Sequence, residues 1–169
     1  MIRWLWGAVV CCLALLVGAA FLPLDLLTVR PAQDRGTCLA AARIEPGWMV
    51  SVFYLDPQKD HQVEKRFRAG PGPVWIGLQT RTLMGRSSRS QTDPGWVRWE
   101  GDWLVIREEG RRVPALEVDQ SPSAGVRIDA GGQELVLAER LKEGKVIIGV
   151  ERRRLWRWAW WLLTGRTFR

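Results

Sequence analysis

The sequence predicts a mainly β protein: a single small β-sandwich or barrel domain, with an N-terminal transmembrane helix before it and a C-terminal amphipathic segment after it. Three observations lead there. The central stretch is cut into short apolar runs by turn signals, residues 4–22 carry no charge, and the end of the chain concentrates tryptophan and arginine. The predicted division is 1–24 as transmembrane anchor (or signal sequence), 25–35 as linker, 36–152 as the β-rich domain and 153–169 as a Trp/Arg-rich interfacial tail.

The N-terminal run, WLWGAVVCCLALLVGAAFL, is nineteen residues long. At 1.5 Å rise per residue, about 20 apolar residues cross a hydrocarbon core of ~30 Å. Backbone groups in lipid must be paired within the segment, so such a run is helical. Pro23 and Asp25 end it. A cleaved signal has a shorter apolar core and a small-x-small cleavage site. Ala19-Ala20 offers only a weak one, and the run continues past it. An uncleaved signal anchor is therefore the reading. Arg3 is the one charge before the run, whereas Arg30, Arg35 and Arg43 follow it. A strict count of positive charges opposes an outward domain, but long domains translocate largely regardless of charge. The expected location is the cell membrane, with the folded domain outside the cytoplasm.

In the central stretch, Val50, Val52 and Tyr54 fall on one face of a strand predicted in 48–55. Ile76 and Leu78 belong to a strand in 73–83, and Trp103 and Val105 begin another that runs to Arg107. Val126 and Ile128 alternate with Arg127 and Asp129, and Gly131-Gly132 then invites a tight hairpin into Glu134–Leu137. The stretch 133–143 also has a partial helical period. Val146, Ile147, Ile148 and Val150 predict a last strand buried on both faces. Pro46-Gly47, Gly70 to Pro73, Asp93 to Gly95 and Ser121-Pro122 separate these runs. Many short strands in about 110 residues point to a sandwich or barrel.

The net charge is +7, yet residues 23–151 hold eighteen basic and eighteen acidic side chains. The excess comes from Arg3 and six arginines in 152–169. A basic excess on a folded face would suggest nucleic acid. Here it sits beside Trp156, Trp158, Trp160, Trp161 and leucines, which favours the lipid bilayer as partner and no nucleic acid. A helix over 155–163 is too short to span. At 100° per residue, Leu155, Trp158, Ala159, Leu162 and Leu163 share one side. Arg153, Arg154 and Arg157 share the other, flanked by Trp160 and Trp161. Trp156, Trp158, Trp160, Trp161, Arg153 and Arg157 are the predicted membrane contacts. The alternative is that this segment packs its tryptophans on the domain.

No catalytic site is predicted. The sequence has no GxSxG, no HExxH and no phosphate-binding glycine loop. Ser87, Ser88 and Ser90 lie in a polar stretch with no base in sight. His61 is the one histidine; Asp56, Asp60, His61 and Glu64 read better as a solvated turn than as metal ligands. Cys11 and Cys12 lie in the apolar run and Cys38 is alone in the domain, so neither a disulfide framework nor a zinc site is expected, nor any cofactor. Trp96, Trp99 and Trp103 are the candidate ligand-stacking residues, with core and edge packing as the alternative.

The opening strand after Pro46-Gly47 runs into Phe53-Tyr54. The segment Gly101 to Ile106 comes later, followed by a closing region of Val113 to Leu116, Ser123 to Ile128, Leu135 to Leu137, Gly144 and Val146 to Arg152. In order and spacing these parts resemble the bacterial domain of unknown function 1850 family, over roughly residues 36–153. That resemblance implies a small protein with a membrane segment or signal, of a kind often encoded beside TAXI-type TRAP transporters. The chain departs from the family where His-Ser is expected, having Asp56-Pro57 there, and Lys59 stands in place of the first Glu. Val63-Glu64 matches the family's later Val-Glu pair, and Gly85 to Ser88 replaces its Gly-Ala-Gly-like loop. No functional residue is carried over, and the Trp/Arg tail is an addition to the family domain. The functional expectation is a non-enzymatic, membrane-anchored accessory or interaction domain for a membrane complex such as a transporter. The alternative is a small-ligand or envelope-polymer binding domain that uses the Trp96/Trp99/Trp103 cluster.

Overall fold

The computed structural model describes residues 18, 20–34, 36–56, 59–84, 96–108 and 110–166. Among these are twelve strands, all paired antiparallel, and one helix of nine residues. The strands are β1 (Pro23–Pro31), β2 (Ala40–Arg43), β3 (Met49–Asp56), β4 (His61–Ala69), β5 (Trp75–Leu83), β6 (Val97–Glu100), β7 (Trp103–Arg107), β8 (Arg112–Val113), β9 (Ala115–Gln120), β10 (Arg127–Ala130), β11 (Gln133–Val136) and β12 (Gly144–Arg154). The helix, α1, is Leu155–Leu163. A single 3-10 turn, Leu137–Glu139, follows β11.

A four-stranded sheet has the order β2-β1-β12-β9. The larger sheet has the order β11-β10-β3-β4-β5-β7-β6, with β8 on β5. Their facing sides meet in one core: Leu27, Val29, Val146 and Ile148 from the smaller sheet, and Val50, Val52, Phe67 and Ile128 from the larger. Trp75 fills its margin, with its ring edge-on to Phe67 at 5.1 Å between centroids. The fold is thus a mainly β arrangement of two antiparallel sheets over a shared core.

Alternation explains most of these strands. Val50 and Val52 are fully buried and Tyr54 packs against the same cluster, whereas Phe53 and Ser51 face the other way. The Gly131-Gly132 pair makes a two-residue hairpin between Ala130 and Gln133, with φ of 60° and 82°. Two positive φ values in succession are what a type I′ turn needs, and glycine adopts them without strain. The helical period in 133–143 gives way to β11 and the short 3-10 turn, because Leu135 and Leu137 both reach the core from the extended chain.

The stretch 25–35 is not a linker for most of its length. Residues 23–31 are β1, paired to β12 from Pro23 opposite Arg154 to Pro31 opposite Val146. Leu26, Leu27, Thr28 and Val29 are all buried, so both faces of β1 are covered. A strand hydrophobic on both faces shows no alternation, and its apolar residues read as a continuation of the run before Pro23. The folded unit therefore begins before residue 36. It also extends past 152: β12 runs to Arg154, which removes Arg153 and Arg154 from the helix. Among the described residues no helix is long and apolar enough to cross a membrane. The span predicted over 4–22 lies almost wholly outside them.

Candidate functional site

Helix α1 leaves β12 directly, with Arg154 still extended at ψ 145°. At its start, Leu155 donates its backbone N–H to the carbonyl of Leu22 at 2.9 Å. At its end, Gly165 takes a φ of 67° and the Arg166 N–H returns to the Trp161 carbonyl at 2.9 Å, closing the last turn. Two further bonds tie that end to the domain. Ala41 donates its N–H to the Arg166 carbonyl at 2.7 Å, and Arg140 Nη1 donates to the Gly165 carbonyl at 2.8 Å. The helix is strapped across the outer face of the smaller sheet at both ends.

Its inward side carries Trp161, 6% exposed, and the half-buried Trp158. They share a second small cluster with Leu26, Cys38, Ala41 and Leu24. Burying a side chain of this size contributes about 3 kcal/mol. The arrangement corrects one expectation: Trp161 is core, not membrane contact, because the outer face of β1 and β2 is apolar and needs a cover. Arg153 is also not free for that role. It lies in β12 and donates Nε and Nη2 to Glu151 Oε2, at 2.8 and 2.6 Å.

The opposite side of α1 is apolar too. Trp156, Trp160 and Leu163 fall within about 60° of one another around the axis, away from Trp158 and Trp161. Trp160 is 59% exposed and Leu163 83%. Phe21 and Leu22 are exposed as well, and the Leu22–Leu155 hydrogen bond sets them beside the start of the helix. Two guanidinium groups lie on these rings: Arg154 at 5.0 Å from the centre of Phe21, and Arg157 at 5.9 Å from that of Trp156. Arg152 is held by Asp25 through Nε and Nη2, at 2.9 and 3.2 Å. Arg154 and Arg157 have no carboxylate partner among the described residues. The result is an exposed aromatic strip edged by uncompensated positive charge, at the point where the N-terminal run joins the domain.

The three candidate stacking tryptophans do not form one platform. Trp103 lies opposite Glu100, and Trp99 opposite Leu104, in the β6–β7 pair. Successive residues alternate faces, so Trp99 and Trp103 project to opposite sides of the sheet. Trp96 is exposed just before β6. Trp103 shares the outer face of the larger sheet with a polar network that sequence reasoning did not find. Glu64, 3% exposed, accepts from Arg66 Nε at 2.5 Å and from Arg81 Nη1 at 2.8 Å. Arg81 continues to Glu100 at 3.8 Å, and Arg98 pairs with the same carboxylate. The Arg81 guanidinium carbon sits 4.8 Å from the centre of the Trp103 ring. The signal in the sequence was the alternation of Glu64 and Arg66 within one strand, which places both on one face.

His61 begins β4 opposite Asp56, and Glu64 is engaged by the two arginines. Among the described residues, no three His, Cys, Asp or Glu side chains group as a metal site. Ser87, Ser88 and Ser90 lie outside the described residues.

No family model matches the chain, and no solved structure matches it. Among curated proteins the chain is similar to SCO-spondin of Bos taurus, at 32% identity over 101 residues. That alignment takes in 56% of this chain and 2% of that protein. The chain therefore spans a very small part of the relative it matches, and the likeness carries no argument about the domain's activity.

Proposed function

We propose that this protein is a membrane-anchored domain outside the cytoplasm, apposed to the bilayer by α1, and that it serves a membrane complex such as a transporter as a non-enzymatic accessory module. The observation that carries the reading is the bond between Leu155 and Leu22. It brings the end of the apolar run and the start of the aromatic helix to one edge of the domain. Trp156, Trp160 and Leu163 present an apolar strip along α1, and Phe21 and Leu22 lie exposed beside its start. Trp favours the membrane–water interface, and arginines beside it favour anionic headgroups. An anchor and a second contact linked in this way raise each other's effective concentration. The resemblance to the domain of unknown function 1850 family supports the transporter part of the reading.

Two measurements test it. The first is protease digestion of intact spheroplasts against lysed ones: cleavage before lysis supports the outward domain, and protection until lysis overturns it. The second uses the full chain in vesicles, with Cys11, Cys12 and Cys38 replaced by alanine and a solvatochromic dye on Trp160→Cys. Blue-shifted emission that brominated lipid quenches supports apposition; emission as in water overturns it.

A further inference from the structure

The outer face of the larger sheet carries a groove of about 400 Å³ that the membrane reading does not use. Its lining includes Phe53 and Leu55 of β3, Gln62 of β4, Trp103 of β7, Arg127 of β10 and the 123–125 turn. β10, β3 and β4 are neighbours in the sheet, and β7 lies beyond β5. Phe53 and Trp103 stand on strands three spacings apart, about 14 Å between backbones.

Each of the two rings carries a guanidinium. Arg127 lies over Phe53 at 4.6 Å, and Arg81 over Trp103 at 4.8 Å. Their roles differ. Arg81 is locked by Glu64 and holds the Trp103 ring in place. Arg127 meets Glu134 only at 3.4 Å, with both side chains half exposed. Such a surface pair contributes little, and the guanidinium can turn to another partner. Among the described residues that line it, Arg127 is the one charged side chain and none is a carboxylate. Gln62 and Ser123 add further polar groups. A groove of this volume with aromatic walls and few polar groups has the character of a small-molecule site.

The register fixes where the groove lies. β12 runs from Gly144, opposite Gln120, to Arg154, opposite Pro23. The 121–125 turn follows Gln120, and the Ala124 carbonyl accepts from the Leu55 N–H at 2.8 Å. The groove is therefore at the Gly144 end, about 30 Å along the strands from the start of α1. It is independent of the membrane edge.

We infer that this groove binds a small organic anion with a flat apolar body, an aromatic carboxylate, its ring against the Phe53 and Trp103 side chains and its carboxylate on Arg127. The test is a titration of the full chain in lipid nanodiscs with phenylacetate, read from the ¹⁵N–¹H signals of arginine Nε and tryptophan Nε1. The expected result is a saturable shift of the Arg127 and Trp103 signals, with a dissociation constant on the order of 1 mM. Arg127→Gln should weaken binding about tenfold or more, and Arg127→Lys should retain part of it. Phenethylamine, of the same shape and opposite charge, should leave both signals in place, and Trp160→Glu on α1 should leave phenylacetate binding unchanged. The inference is overturned if phenethylamine shifts both signals equally, if no saturable shift appears, or if Arg127→Gln binds phenylacetate as tightly as the parent chain.

Discussion

Arg81 Nη1 lies 2.8 Å from Glu64 Oε2, and the same guanidinium covers the Trp103 ring. Glu64 is thus shared by two cations in a nearly inaccessible place. Breaking a buried ion pair by removing one partner costs about 3 kcal/mol. Glu64→Ala should lower stability by about that amount, and Glu64→Gln, which keeps an acceptor, by less. Urea unfolding followed by near-ultraviolet circular dichroism measures both, and the Trp103 band should weaken in the alanine variant.

Cys38 offers a readout of α1. Burial, chiefly, raises its thiol from 9.0 to about 11. The thiolate is the reactive form, so the native side chain should alkylate slowly at pH 8 and faster as the pH rises toward 11. Trp161→Ala removes the buried ring from the Cys38 cluster, at a cost of about 3 kcal/mol. In a chain with Cys11 and Cys12 changed to serine, that variant should bring labelling at pH 8 toward the rate of a free thiol. The linkage has a definite sign. The folded state holds this proton more tightly than the unfolded state does, so the contribution is complete below pH 9.0 and is lost as the pH rises to about 11. A flat maleimide-labelling profile across that window would contradict the burial.

At Gly131 a side chain has no room. Its φ is 60°, and an added Cβ would come within 2.6 Å of the Trp48 ring. Left-handed backbone costs an alanine about 1–2 kcal/mol before any clash. Gly131→Ala should therefore lower Tm clearly, while Gly132→Ala, with open space around it, should carry the backbone cost alone. Thermal melts of the two variants side by side separate strain from collision.

The arginines at the α1 edge should matter in proportion to lipid charge. Arg154→Glu and Arg157→Glu are each expected to weaken contact between α1 and anionic vesicles about fivefold, and to have little effect with zwitterionic ones. Brominated-lipid quenching in the two vesicle types, at low and high salt, measures the difference.

Much of the larger sheet was legible because one face meets the core and the other does not, as Val50, Val52 and Tyr54 illustrate. Helix α1 was also legible, since its 155–163 span followed from the run of Trp and Leu closed by Gly165. Its orientation was not. Apolar residues surround the axis, and the side that packs depends on Leu26 and Ala41, over a hundred residues away. β1 was hidden by burial on both faces. β4 was hidden by charge: HQVEKRFRA looks solvated until Glu64 is seen to bind Arg66 and Arg81. The Phe53–Trp103 groove depends on strand order, which no local pattern encodes.

The pairing of β1 with β12 also bears on how the chain is made. Thr28 and Gly149 touch across 121 residues of sequence. At ribosomal speeds of about 5–20 residues per second, β1 waits on the order of ten seconds before its partner exists. During that interval a segment meant for the centre of a sheet is unpaired and apolar on both sides. Contacts so distant in sequence make for slow folding. The last strand to be synthesised completes the smaller sheet and then leads straight into the helix that roofs it. The domain is therefore expected to reach its native state only after the carboxyl-terminal fifth of the chain has emerged, and nascent chains stalled before residue 144 should be far more sensitive to proteolysis than those released.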